Sequence, residues 1–79
     1  MSDEVTTLDT LALGTGAEVV GVSGPGGIAM RLLEMGFVAG THVELVKVAP
    51  LGDPLELRIR GYHLSLRRAE AAHVRVIRR

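Results

Sequence analysis

I-A-M-R-L-L-E-M-G-F-V-A-G-T-H-V-E-L, residues 28–45, changes its hydrophobic period half-way along. Ile28, Leu32 and Met35 recur at helical spacing with Ala29 and Leu33 beside them, while Arg31 and Glu34 fall off the stripe. This predicts a short amphipathic helix. Gly36 stands where a helix ends in a left-handed residue, and Phe37 is placed to fold back onto Leu32 as a Schellman cap requires. Val38-Ala39-Gly40-Thr41 suits a type II turn, whose third position needs the positive φ that glycine takes without strain, and alternation starts at once after it. A helix of about eight residues spans roughly 12 Å and cannot hold itself together in water. It is therefore expected to dock over an open end of the sheet built by the residues that follow.

Downstream, a strand is expected over residues 41–49, with Val43 and Leu45 on one face and His42 and Glu44 on the other, until Val46 and Val48 shift the pattern as a bulge would. Ala49-Pro50-Leu51-Gly52-Asp53-Pro54 is a turn cluster whose prolines stop pairing at both ends. Residues 55–60, L-E-L-R-I-R, alternate without a fault, so one face is buried and the other wet. Gly61-Tyr62 is read as a two-residue type II′ hairpin loop, which sets Ile59 opposite Leu64 and Leu57 opposite Leu66. Residues 67–72 read as one helical turn, with Arg67 and Glu70 at i,i+3, and residues 73–77 return to strand.

Upstream, residues 1–7 read as a loose N-terminal tail, and Leu8, Leu11 and Leu13 are expected to pin the first ordered segment. The valine-rich run 17–23 is a further strand, and Ser23-Gly24-Pro25-Gly26-Gly27 is a plain connector. It lacks the Gly-Lys-Ser/Thr ending of a phosphate loop, and Pro25 removes an amide donor. Five short strands, a long decorated first connection and a helical turn before the last strand predict a mainly β fold, a small SH3-like barrel over residues 8–79. A split antiparallel sheet with the helix laid across it is the competing arrangement.

A chain of 79 residues makes one domain, and at this size about 60% of the unfolded chain's surface is buried. The chain has no cysteine, which leaves neither a disulfide framework nor a thiolate metal site and fits a reducing cytoplasm. The polar start and the lack of any long apolar run argue against a signal peptide and against membrane insertion. Net charge is zero, yet acidic residues gather early and Arg58, Arg60, Arg67, Arg68, Arg75, Arg78 and Arg79 late. With one Phe, one Tyr and no Trp there is no stacking platform, so nucleic acid is not the expected partner.

Ser2, Ser23 and Ser65 sit in no nucleophile motif, and no catalytic set is legible. His42 and Glu44 project from one strand face at i,i+2 and make at most a weak, water-completed site for a divalent ion. Leu51, between Pro50 and Gly52, is either tucked over a barrel end or offered to a partner, and Tyr62 invites the same question.

Arg31-Leu32-Leu33-Glu34-Met35-Gly36-Phe37, Gly40-Thr41, the cluster from Ala49 to Pro54, Gly61, and Leu66-Arg67-Arg68-Ala69-Glu70-Ala71 closely resemble the FeoA family, the small cytoplasmic component of bacterial ferrous iron uptake. Ala39 stands where that family often has proline, a change the turn tolerates. The resemblance implies an SH3-like domain that associates with FeoB, a membrane transporter with a cytoplasmic GTP-binding domain, and lies at the inner face of the membrane when bound. No cofactor is required on this reading; a weak site for Fe(II) or another divalent transition metal is the alternative. Regulation of the transporter's GTPase is a further alternative, as is a stand-alone relative of the C-terminal domains of iron-dependent repressors. The residues expected to meet a partner are Arg31, Glu34, Leu51, Arg58, Arg60 and Tyr62, while Gly36, Gly40, Pro50, Gly52, Pro54 and Gly61 shape turns and caps. The sequence leaves open whether copies of the chain associate with one another.

Overall fold

Alternation sets the strands. Val43 and Leu45, then Leu55, Leu57 and Ile59, are buried on one side while the residues between them face outward. In the computed structural model, which describes residues 4–78, they lie in β3 (His42–Val48) and β4 (Leu55–Ile59) of a six-stranded antiparallel sheet. The other strands are β1 (Val5–Thr7), β2 (Gly16–Val22), β5 (Tyr62–Leu66) and β6 (Val74–Arg78), and the spatial order is β1-β6-β2-β3-β4-β5. Helix α1 (Ile28–Glu34) lies in the connection from β2 to β3, and α2 (Arg68–Ala71) separates β5 from β6. The domain is mainly β, with its helix and helical turn where the sequence puts them. It has six strands rather than five, in an open ladder whose edges are β1 and β5. The bulge expected in β3 is present, as a register shift against β4 between Leu45 and Lys47.

The additional strand corrects the reading of residues 1–7 as a loose tail at positions 5–7. Val5, Thr6 and Thr7 pair with Ile77, Val76 and Arg75, and a 3-10 turn, Leu8–Thr10, follows. Two threonines in a three-residue strand carry no apolar alternation, so the pairing comes from β6 and not from local pattern. Leu8 and Leu11 are buried in the core as expected, whereas Leu13 is 63% exposed. Residues 1–3 and Arg79 lie outside the described residues.

The β4–β5 hairpin also departs from its expected register. The loop is Arg60-Gly61, with φ of 52° and 81°, a type I′ turn. Ile59 therefore opposes Tyr62, Leu57 opposes Leu64 and Leu55 opposes Leu66. The shift moves each partner by two residues, so every side chain keeps its face and only its neighbour changes. The type I′ twist matches that of the strands, and this register sets two buried leucines, Leu55 and Leu66, against each other. A left-handed arginine costs about 1–2 kcal/mol. Partly offsetting that cost, Arg60 Nη2 donates to Thr41 Oγ1 at 3.3 Å.

Helix α1 ends as its sequence dictates. The Gly36 N–H donates to Leu33 O at 3.0 Å and the Phe37 N–H to Leu32 O at 3.1 Å, the two bonds of a Schellman motif, with Gly36 at φ 111°. Phe37 and Leu32 are both fully buried, and Ile28 and Met35 pack against the same core. The Thr41 N–H then closes the Val38 turn at 3.1 Å, with Gly40 at φ 91°. Two ties bracket β5: Tyr62 Oη donates to Met35 O at 2.5 Å, and Arg31 forms an ion pair with Glu70 in α2. These ties fasten the end of α1 to the first residue of β5 and its middle to α2.

Arg68 joins three segments that are far apart in the chain. Its N–H donates to Asp53 Oδ1 at 2.9 Å, its Nε to Gly52 O at 2.9 Å, and its Nη1 to Asp9 O at 2.8 Å. Beside it, Glu70 Oε1 accepts from the Arg67 N–H at 3.1 Å. This is one half of a capping box, since arginine has no acceptor to supply the other.

Two substitutions test these supports. Gly36→Ala forces a Cβ onto a left-handed residue, 3.1 Å from Tyr62 Oη, and is expected to cost about 1–3 kcal/mol. Arg68→Ala removes two charge-assisted bonds to carbonyls and is expected to cost about 2–3 kcal/mol. Both are read as a lower urea midpoint at unchanged slope.

Candidate partner-binding surface

The interior is filled by aliphatic side chains and Phe37, and no cavity opens among the described residues. What the domain offers another molecule is therefore its outside. Of the residues singled out from sequence, Leu51, Arg60 and Tyr62 lie at opposite ends of β4 and Arg58 lies within it. The Leu51 loop precedes β4, while Arg60 and Tyr62 belong to the hairpin that follows it. Arg31 and Met35 reach toward these two ends from α1.

At the first end Leu51 is 96% exposed, so of its two expected placements it takes the outward one. Its loop is closed by the Gly52 N–H on Ala49 O at 2.7 Å and the Ala49 N–H on Pro54 O at 3.1 Å, and Arg68 holds Gly52 O from outside. Arg31 stays largely exposed, at 61% of its side chain, although it pairs with Glu70. Glu34 is exposed on the same helix. At the second end Tyr62 is not at the hairpin tip but is the first residue of β5. The residue is 45% exposed while its hydroxyl braces the end of α1.

On the outward face of the sheet, Arg58 and Glu44 are register partners and form an ion pair. His42 shares the face with Glu44, as its spacing predicts, and stands opposite Glu18 in β2. The His42 ring crosses Gly16, where a Cβ would come within 2.8 Å of Cε1. A stable tetrahedral site takes four donors. Here one of the two proposed donors is already held by a guanidinium, and no group of three or more His, Cys, Asp or Glu able to hold a metal occurs among the described residues.

The sequence reading missed two features. Met30 and Leu33, 61% and 41% exposed, put apolar surface on the outside of α1. Met30 could have been found, because it lies nearly opposite Ile28 on the helical wheel. Arg68 leaves no local trace, because its partners are carbonyls and a carboxylate brought to it by the fold.

The FeoA domain model matches residues 6–78. A Porphyromonas gingivalis protein described as an Fe(2+) transport protein A/Fe(2+) transporter FeoB fusion is 46% identical over 69 residues, 87% of this chain. The matched segment is only 8% of that protein's length. Among solved structures, a FeoA-like protein from Clostridium acetobutylicum superposes with a TM-score of 0.86 at 34% identity, over 96% of this chain and 87% of the other. FeoA from Stenotrophomonas maltophilia, crystallised with zinc and described as an SH3 domain protein, gives 0.80 at 39% identity, over 90% and 88% of the two chains. The match along nearly the whole length, with the SH3-like fold described for that relative, shows that the chain belongs to the FeoA family.

Proposed function

We propose that this chain is a small accessory or adaptor protein of ferrous iron uptake, which associates with a FeoB-type transporter at the cytoplasmic face of the membrane and supports or regulates iron(II) import. One observation carries the reading: in the Porphyromonas relative the counterpart of this domain and the transporter are one polypeptide. Fusion holds two units at high effective concentration, an arrangement suited to parts that work in contact. No helix among the described residues is long and apolar enough to cross a membrane, which fits a partner of the transporter better than a part of its permeation path. The contact would be drawn from Arg31, Glu34, Leu51, Arg58, Arg60 and Tyr62. Arg31 and Arg58 are already ion-paired within the chain, so they suit a rim that tunes encounter more than a centre that sets affinity.

Direct binding of a divalent metal is a second reading, and the zinc held by the Stenotrophomonas relative favours it. Anaerobic calorimetry separates the two. A saturable heat with Fe(II) or Mn(II) that disappears in His42→Ala and Glu44→Ala would favour the metal reading, and no heat with either ion would remove it.

The adaptor reading is tested by isolating the protein from native cells with the membranes solubilised in detergent, with and without ferrous ion and GTP. The transporter is expected to come with it under at least one of these conditions, and its absence under all of them refutes the reading. GTP turnover by the transporter, measured with and without this protein, then distinguishes an activator from a passive adaptor.

A further inference from the structure

Single exposed leucines are common on proteins and need no explanation by themselves. Leu51 differs in how its backbone is held. Loop tips are ordinarily polar and mobile, yet this one presents a 96% exposed leucine between Pro50 and Gly52. The peptide groups around it are tied on both sides, by the Gly52 N–H to Ala49 O and the Ala49 N–H to Pro54 O. They are also tied from outside the loop, by Arg68 Nε to Gly52 O and by the Arg68 N–H to Asp53 Oδ1. An apolar group whose backbone is already fixed loses little freedom when it is buried by a partner, which favours binding through it.

The charge around the knob has a sign. Arg67 is exposed and immediately precedes Arg68, which bonds to the loop itself. Arg31 is tied to the same short helix through Glu70. The Asp53 carboxylate, the loop's own negative charge, is turned onto a backbone N–H. Because Glu70 balances Arg31 and Arg68 is bonded to carbonyls, Arg67 is the exposed guanidinium that a carboxylate on a fitting surface would meet. A second copy of the chain offers no preformed socket for a leucine among the described residues.

We infer that Leu51 is the anchor of the adaptor's interface, entering an apolar socket with an acidic rim on a different protein, and that Arg68 positions it. This rests on the adaptor reading and names the contact within it.

The test uses the full chain and detergent-solubilised FeoB-type transporter. Wild type, Leu51→Ala, Leu51→Met and Arg67→Gln are compared for affinity at low and raised salt, with thermal melts alongside. Leu51→Ala is expected to lose about tenfold or more in affinity at an unchanged melting temperature. Leu51→Met is expected to stay within about threefold of wild type, since a thioether fills a similar volume. Arg67→Gln is expected to flatten the salt dependence. If wild type binds and Leu51→Ala binds equally well, the inference is overturned and the adaptor reading stands. If wild type does not bind at all, both fall. Sedimentation is run on the chain alone: a wild-type dimer that Leu51→Ala converts to monomer would make the occupant a second copy and overturn the choice of partner.

Discussion

The contact of Phe37 and Leu32 with the inside of the sheet is what the remaining structure depends on. An antiparallel sheet of this size has two edges and an open flank, and among the described residues the only sizeable helix is seven residues long. A helix that short has no stability of its own. It exists because its end is locked by the Gly36 cap, its apolar stripe is drawn into the core, and it is tied to the start of β5 through Tyr62 and to α2 through Glu70. Removing the helix would expose Leu32, Phe37 and the aliphatic side chains beneath them. The surface residues discussed above hold their relative positions because this closure holds.

What could be read from sequence, and what could not, follows from the range of each interaction. The helix stop, the type II turn and the alternation of β3 and β4 are written in spacings of two to five residues, and the structure reproduces each of them. The hairpin shows where such reading ends. Period-two alternation fixes which face a side chain takes, so Leu57, Ile59, Leu64 and Leu66 were placed correctly by face. A change of loop from Gly61-Tyr62 to Arg60-Gly61 preserves that parity and alters every partner. The choice between the two was made by strand twist and by packing of Leu55 on Leu66, neither of which is local. Strand β1 was missed for the same reason, since Val5-Thr6-Thr7 becomes a strand only when β6 is beside it. Arg68 is the extreme case, because it reaches a carbonyl 59 positions away in the chain.

The candidate surface was legible as a list of exposed residue types but not as an arrangement. Charge segregation suggested a basic end. In the folded protein Arg58 meets Glu44, Arg31 meets Glu70, and Arg68 is spent on backbone groups. Much of the apparent positive charge is therefore neutralised or structural. Surface pairs of this kind add only about 0–1 kcal/mol of stability each. Their larger effect is to leave Arg31 and Arg58 less available to a partner than the exposed Arg67.

This redistribution bears on how such a domain would hold a partner. With zero formal net charge the protein exerts little long-range steering, so recognition has to come from short-range fit. The Porphyromonas relative sidesteps the difficulty by covalent connection, which replaces affinity with effective concentration. A domain that is not joined to its partner has no such help. Its surface must instead lower the ordering cost of association, and a small β domain can do that only where a loop is braced from behind. In this protein such a place is the turn after β3, where backbone bonds within the loop and a guanidinium from α2 hold an apolar side chain out in water. The same fold that leaves no room for a site in its interior thus supplies the rigidity that a site on its exterior would need.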